Sequence, residues 1–215
     1  MILVDHSGEN QIAVVPGSNG RLTPVDLRQH RELIAEARVL LLQMEIPRET
    51  VFEALRLGRE CGLTTMLNPA PAAQLSSDLL RLIDILTPNE TEAQALTGSA
   101  DPAEAARILT DRGVGIVVVT CGANGAFLTT GNDVTHIPGF LVETIDSTGA
   151  GDAFNGALAC AVAEGVPIKS AIVRANAAGA LATTGRGAQE SMPTKDDIEQ
   201  LCRSGVRQME PPPRS

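Results

Sequence analysis

Aromatic side chains are nearly missing from this sequence of 215 residues, which contains no Trp, no Tyr and only four Phe. Proteins that bind single-stranded nucleic acids stack the bases on aromatic side chains. A chain with so few aromatic residues lacks these stacking platforms. Any nucleotide base that it binds must therefore be recognised through other contacts.

Basic residues are also scarce, since 17 Lys and Arg stand against 26 Asp and Glu and give a formal net charge of -9. Nucleic acids and anionic membranes attract clustered positive charge. The charge balance therefore argues against both as partners. It also implies that any phosphate group bound here is held by backbone amides and a metal ion.

Cysteine pairs and long apolar runs are missing as well. Cys61, Cys121, Cys160 and Cys202 lie far apart and form no Cys-x-x-Cys pair, so neither a zinc site nor a redox motif is expected. The apolar start over residues 1–4 is too short for a signal peptide, and no run approaches the length of a membrane span. We expect a cytoplasmic protein.

What the sequence does contain is a regular alternation of strand and helix patterns. The clearest strand is the β-branched run 116–120, and the apolar run 39–42 is expected to be buried on both faces. Helix starts carry a cap followed by proline, as in Asp101-Pro102. This alternation predicts a three-layer αβα fold with a mostly parallel sheet and with sites at the carboxyl ends of the strands.

The chain is expected to divide into an N-terminal β-hairpin over residues 1–16, an α/β core over 17–207 and a flexible, proline-rich tail over 208–215. At the start of the core, a helix is predicted from Thr23, with Leu27, Leu33 and Ile34 on its apolar face. The three histidines, His6, His30 and His136, are assigned no role.

The most informative stretch is Asp-Ser-Thr-Gly-Ala-Gly-Asp-Ala-Phe-Asn-Gly over residues 146–156, a glycine-containing turn that leads into an apolar helix. Gly149 and Gly151 permit positive φ and a close ligand, and the helix start offers unpaired amides to an anion. Asp152 lies beside this anion site, where a carboxylate could act as a base on a hydroxyl that attacks a phosphoryl group. The alternative is a glycine turn in which Asp152 only caps the helix.

The full string resembles the C-terminal signature of the ribokinase-like (phosphofructokinase-B type) carbohydrate kinases. The resemblance implies transfer of the ATP γ-phosphoryl group to a primary hydroxyl of a sugar, with D-ribose giving ribose 5-phosphate as the leading expectation and deoxyribose, fructose or a nucleoside as alternatives. It makes Asp152 the catalytic base and a substrate contact. The amides of Ala150, Gly151 and Asp152 would form the anion hole.

Two further stretches are similar to family motifs. Glu45, after the strand at 39–42, resembles a sugar-contacting glutamate, although a solvated residue before Pro47 would look the same. Asn89 and Glu92 resemble the Asn-x-x-Glu motif that holds magnesium and the nucleotide phosphates. The alternative for this pair is a helix cap with Glu92 at the third position.

The stretch after strand 116–120 resembles the family's ATP-contacting loop, in which glycines let the nucleotide approach the backbone. By this resemblance ATP contacts would come from Asn89, Thr120, Gly122, Ala123, Gly125, Gly151 and Asn176. A potassium site would be formed by Asp146, Thr148, Ala182, Gly185, Gly187 and Ser191. The implied cofactors are ATP, Mg²⁺ and K⁺.

The sequence departs from the family at its beginning. The family's first strand and its Gly-Gly-x-Gly-x-Asn sugar turn are not found, and the hairpin over residues 1–16 corresponds to part of the family's lid. Either the start of the gene is misplaced, or the chain is a non-catalytic protein that binds a nucleotide or a partner. A homodimer through the lid strands is a further expectation.

Overall fold

The computed structural model of the chain describes residues 2–4, 10–12, 16–131 and 133–206. Within these ranges strand β1 pairs with strand β2 in antiparallel fashion, and six further strands form one sheet in the order β3-β4-β5-β6-β7-β8. The strands are β1 (Ile2–Val4), β2 (Asn10–Ile12), β3 (Val39–Leu42), β4 (Thr64–Leu67), β5 (Ile85–Leu86), β6 (Ile116–Thr120), β7 (Ala126–Thr130) and β8 (Asp133–Ile137).

The first four strands of the sheet are parallel, and β7 and β8 extend it in antiparallel fashion. The helices are α1 (Pro24–Gln29), α2 (Arg31–Ala35), α3 (Arg48–Glu60), α4 (Ser77–Leu80), α5 (Glu90–Thr97), α6 (Pro102–Asp111), α7 (Ala150–Ala163), α8 (Ile168–Ala182) and α9 (Lys195–Ser204). The predicted turn residues 5–9 and 132 and the predicted tail 208–215 lie outside the described residues. The division into hairpin, core and tail stays a prediction.

Strand β6 shows why the fold has three layers. Successive side chains of a strand point to opposite faces of the sheet. Val117 and Val119 pack into one core with α3, α5 and α6, whereas Val118 packs into the other with α7 and α8. All three valines are fully buried. The predicted αβα architecture with a mostly parallel sheet is therefore confirmed.

The burial predicted for β3 was wrong. All four residues of this strand are only half-buried. Among the described residues β3 has a single neighbouring strand, β4, so one of its edges is not covered by the sheet. An apolar run reports a strand's composition, but its burial depends on which strands flank it.

The helix predicted from Thr23 is broken into two short helices at His30. Thr23 and Asp26 form the expected capping box. The apolar face is not buried, since neither α1 nor α2 contains a buried residue and Leu33 is 66% exposed. The apolar periodicity therefore predicted the helical structure correctly, but the burial of the apolar face that it predicted was wrong.

An ion-pair network joins α1 to α3. Glu53 accepts hydrogen bonds from Arg56 and Arg28, at distances of 2.8 to 3.0 Å. The bond from Arg56, supported by the one from Arg28, lowers the pKa of Glu53 to about 2. In the same region Thr50 donates to the carbonyl of Leu22 at 2.7 Å.

No helix in the described part of the chain combines the length and apolar character that a membrane crossing needs.

Candidate active site

A cavity of about 340 Å³ opens where β6 and β8 meet the first turn of α7 and the face of α8. It contains seven residues that the sequence had marked for nucleotide or anion binding: Thr120, Gly122, Ala123, Ala150, Gly151, Gly125 and Asn176. Asn89 does not line it, although its backbone forms a β-bridge with Thr120. Residues from distant parts of the sequence thus converge on one space.

Two glycines shape the wall of this cavity after β6. Gly125 has φ of +92°, and a Cβ atom at this position would lie 2.2 Å from the carbonyl oxygen of Ile137. A Cβ atom at Gly139 would lie 2.3 Å from the carbonyl oxygen of Ala123. Because the two backbones touch, only glycine fits at either position. The loop over 122–125 is therefore locked against the turn that follows β8.

Asn176 of α8 fixes the same turn from the other side. Its side-chain amide donates to the carbonyl oxygens of Ile137 at 3.1 Å and Pro138 at 3.2 Å. The residue is buried. Its side-chain nitrogen is therefore engaged in holding the cavity wall, and the predicted contact with ATP would be made by the rest of its side chain.

The first turn of α7 presents free amides. Gly149 is the N-cap and has φ of +80°. The amide of Ala150 donates to Ser147, and the first long helical bond runs from the amide of Ala153 to Gly149. Among the described residues the amides of Gly151 and Asp152 have no partner and remain available to an anion, whereas the amide of Ala150, also predicted for the anion hole, is already engaged.

Two details of this turn differ from the sequence prediction. Gly149 has the predicted positive φ, but Gly151 does not, because it lies within α7. The N-cap of α7 is Gly149, and Asp152, the cap in the alternative interpretation, lies inside the first turn of the helix. A Cβ atom at Gly151 would meet nothing within 4 Å.

The carboxylate of Asp152 lies on the other side of this turn. It is exposed and accepts a hydrogen bond of 3.0 Å from Nε2 of Gln43, directly after β3. It borders a second groove, of about 380 Å³, that runs along α7. Asp152 is thus not a simple helix cap. Gly151 lines the first cavity and Asp152 lines the second groove, so the first turn of α7 borders both spaces.

Glu45, predicted to contact the sugar, is exposed and lines neither of these two spaces. It stands two residues after Gln43, at the same end of β3. Its predicted role stays a prediction.

Asn89 and Glu92 form the capping box of α5. The side chain of Asn89 accepts from the amide of Glu92 at 2.8 Å, and the amide of Asn89 donates to Glu92 at 2.9 Å. Glu92 is buried, and this burial raises the pKa of its carboxyl group. In the described part of the chain no three His, Cys, Asp or Glu side chains cluster as metal ligands. Magnesium binding by this pair stays a prediction.

The predicted potassium ligands come from two loops that meet and from the last residue of α8. The carboxylate of Asp146 accepts from the amides of Thr148 at 2.9 Å and Gly187 at 3.1 Å. The bonding from Thr148, together with that from Gly187, lowers the pKa of Asp146. Ser191 donates to the carbonyl of Gly187. Gly185 packs against Ser191, and Ala182 is buried at the end of α8. The loops thus bring oxygens together, and the cation itself stays a prediction.

Several residues of the site were not identified from the sequence. They are the cavity residues Gly139, Phe140, Val142, Thr144, Gly179, Ala180 and Thr183, together with Gln43, Thr87 and Asn155. Three of them carried a usable signal, since Gln43 and Thr87 directly follow strands and Asn155 lies in the stretch 146–156. The others join the site through tertiary packing.

Comparison with known proteins places the chain in a family. The model of the pfkB family carbohydrate kinases matches residues 1–195. A ribokinase of Haemophilus influenzae is 41% identical over 201 residues, which are 91% of this chain and 66% of that protein. A bifunctional ribokinase/ribose-5-phosphate isomerase A of Fructilactobacillus sanfranciscensis is 40% identical over 203 residues, 92% of this chain and 38% of that protein.

The fold leads to the same family. The structure of Arabidopsis thaliana ribokinase complexed with ribose and ATP superposes with a TM-score of 0.85 at 29% identity, covering 94% of this chain and 68% of that one. The chain spans between 38% and 66% of the two curated relatives described above. On the extent of the family match and on these identities, the chain belongs to the pfkB family of carbohydrate kinases.

Proposed function

We propose that the chain serves in transfer of the γ-phosphoryl group of ATP to the primary hydroxyl of a pentose, with ribose as the acceptor. One observation carries the proposal. Among the described residues the amides of Gly151 and Asp152 have no hydrogen-bond partner, while Gly151 lines a cavity of about 340 Å³ and Asp152 lines a second groove. The relatives named ribokinase, and the related structure that holds ribose and ATP, support this choice of substrates.

The nucleotide would occupy the 340 Å³ cavity, with its base toward α8 and its phosphates toward the first turn of α7. Helix N-termini bind phosphate because their amides are unpaired and the helix dipole favours negative charge. At Gly151 and Asp152 these amides would stabilise the charge on the transferred group. No cationic side chain is needed for this interaction.

The carboxylate of Asp152 would accept the proton of the attacking hydroxyl. The hydroxyl oxygen then forms a bond to the γ-phosphorus, and the bond from that phosphorus to the oxygen bridging to the β-phosphate breaks, leaving ADP. Gln43 donates to the same carboxylate and would hold it in position. Exposure at the carboxyl end of β3 leaves room for the acceptor.

Two cations complete the proposal. The oxygens of Asn89 and Glu92 suit Mg²⁺, a hard cation that keeps much of its hydration, and they would hold it through water while the capping box stays formed. Magnesium would neutralise charge on the phosphates. The carboxylate of Asp146 and the carbonyl and hydroxyl oxygens near Gly187 and Ser191 suit K⁺.

The experiment is an acceptor panel of ribose, deoxyribose, fructose and a nucleoside, each assayed with MgATP for ADP release and for the phosphorylated product. Ribose is expected to give the highest kcat/KM. If another acceptor gives the highest kcat/KM, that acceptor replaces ribose in the proposal and the proposed kinase activity stands.

A homodimer through β1 and β2 belongs to the same proposal, and light scattering measures the molar mass that tests it.

A second candidate is nucleotide binding without turnover. The exposure of Asp152 and Glu45, with Glu45 outside both described spaces, favours this alternative. Calorimetry that shows ATP binding, combined with no turnover of any acceptor, would support it over the kinase.

A further inference from the structure

A chain of buried polar groups runs from the sheet to the first turn of α7. Thr87, the residue after β5, is 1% exposed and donates from its hydroxyl to Oδ1 of Asn155 at 2.6 Å. Asn155, in α7, is 6% exposed and donates from Nδ2 to the carbonyl oxygen of Gly151 at 2.9 Å. Asn68 donates to the carbonyl of Thr87 at 2.8 Å. Three elements are thus tied to the turn that presents the free amides.

The last hydrogen bond in this row, from Asn155 to the carbonyl oxygen of Gly151, acts on a single planar peptide group. The carbonyl of Gly151 and the amide of Asp152 belong to the same peptide group, which is planar and trans, so the C=O and N–H bonds point in opposite directions. An Asn155 side chain that fixes the direction of the carbonyl also fixes the direction of the amide. That amide is one of the two that are free for an anion, and it leads directly to the Cα atom that carries the Asp152 carboxylate.

We propose that Thr87 and Asn155 are a positioning pair for phosphoryl transfer, which aims the Asp152 amide and carboxylate from the rigid end of β5. The inference rests on the proposed function. Neither side chain lies against the reacting groups, and both act through the Gly151–Asp152 peptide. Small errors in the placement of catalytic groups lower rates steeply, so a pair that fixes a peptide plane has a direct effect on kcat.

The first test is Thr87→Val, which removes the hydroxyl and keeps the shape. The expected result is a fall in kcat on the order of 10- to 100-fold with little change in the KM for ATP. Thr87→Ser, which retains the hydroxyl, is expected to restore kcat. The matched control is Thr129→Val, because Thr129 is equally buried and, among the described residues, its hydroxyl bonds to Val117 and Thr110, away from α7. This control is expected to lose stability and keep kcat.

A double variant separates positioning from stability. Thr87→Val combined with Asn155→Leu replaces both polar partners with apolar groups, which avoids leaving one of them buried and unpaired. The free energy of unfolding is therefore expected to recover relative to Thr87→Val. The hydrogen bond from the side chain of residue 155 to the Gly151 carbonyl is still missing in the double variant, so kcat is expected to stay low. Recovery of kcat together with stability would overturn the proposal.

A readout that needs no turnover keeps this inference distinct from the proposed function. Hydrogen exchange of the Ala153 amide, which donates to Gly149 at 2.9 Å, reports opening of the first turn of α7 in the protein without nucleotide. Exchange is expected to be faster in Thr87→Val and unchanged in Thr129→Val. Unchanged exchange in Thr87→Val would overturn the positioning role. An inactive wild-type protein with faster exchange in Thr87→Val would refute the proposed kinase activity while leaving the positioning role intact.

Discussion

A single methyl group at Gly151 should separate ligand binding from folding. A Cβ atom there meets no protein atom within 4 Å, and Gly151 already has helical backbone geometry. Helical Cβ atoms point toward the N-terminus, so the methyl of Gly151→Ala would project into the space where we place the phosphate. The protein would tolerate this substitution, whereas the bound anion would not.

The magnitudes follow from these contacts. Replacing a helical glycine by alanine stabilises by about 0.5–1 kcal/mol. For a chain of this size each kcal/mol shifts Tm by about 2–4 °C, so a rise of about 1–4 °C is expected. Alanine keeps the amide N–H of residue 151, but its methyl group would hold the phosphate away from that donor. Losing the contact with one donor to a charged transition state lowers the rate by about 10²–10³-fold, and a loss of kcat/KM of at least the lower value is expected.

Gly156→Ala is the matched control, because Gly156 lies in the same helix, its added Cβ atom also meets nothing within 4 Å, and it lines the second groove instead of the cavity where we place the phosphate. Thermal unfolding and an ADP-release assay with ribose, run on both variants, decide the matter. Both variants should melt no lower than the wild type, and only Gly151→Ala should lose activity. A fully active Gly151→Ala protein would refute the location of the anion site.

Three further substitutions test other parts of the structure. Gly125→Ala is expected to destabilise the protein by more than about 3 kcal/mol, because it adds a backbone clash to a positive φ, whereas Gly122→Ala, with a positive φ but open space, should cost about 1–2 kcal/mol. Thermal unfolding compares the two variants, and equal losses would contradict the close contact between the loop over 122–125 and the turn after β8. Glu92→Gln keeps an acceptor for the helix cap and removes a carboxyl group whose raised pKa makes stability fall as pH rises above 4.5, so the stability at pH 7 should not drop. The Mg²⁺ concentration needed for half-maximal activity should rise about 10-fold or more, and an unchanged Mg²⁺ requirement would exclude the metal role. Because the pKa of Glu53 is lowered, its ion pairs contribute their full stabilisation of the folded state above pH 4.5 and lose it as the pH falls toward about 2. Urea unfolding should show a loss on the order of 1 kcal/mol in the free energy of unfolding of the wild type over this range, and no such loss in Glu53→Gln.

The elements with strong local signals were predicted well from the sequence. The β-branched run of β6 is buried at its centre, and Asp101 caps α6 as its sequence indicated. The glycine loop after β6 and the turn before α7, which the sequence marked for ligand binding, both line the cavity in the structure. These signals succeed because capping, positive φ and β-branching act within a few residues of the chain.

What could not be predicted depends on packing between distant segments. The same apolar composition that buries β6 leaves β3 half-exposed, since β3 has one neighbouring strand in the described sheet. The bond between Thr87 and Asn155 joins residues 68 positions apart, and although Thr87 follows a strand and Asn155 lies in the stretch 146–156, nothing local to either residue shows that the two meet. Asn89 and Glu92 show the opposite difficulty, because one short motif serves equally well as a helix cap and as a set of metal ligands.

The decisive measurement is phosphoryl transfer from MgATP to ribose by the wild type and by Asp152→Asn, with ATP affinity determined by calorimetry for both. If the carboxylate of residue 152 takes the hydroxyl proton, kcat should fall on the order of 10² to 10⁴-fold while ATP still binds. An Asp152→Asn protein as active as the wild type would show that the base lies elsewhere.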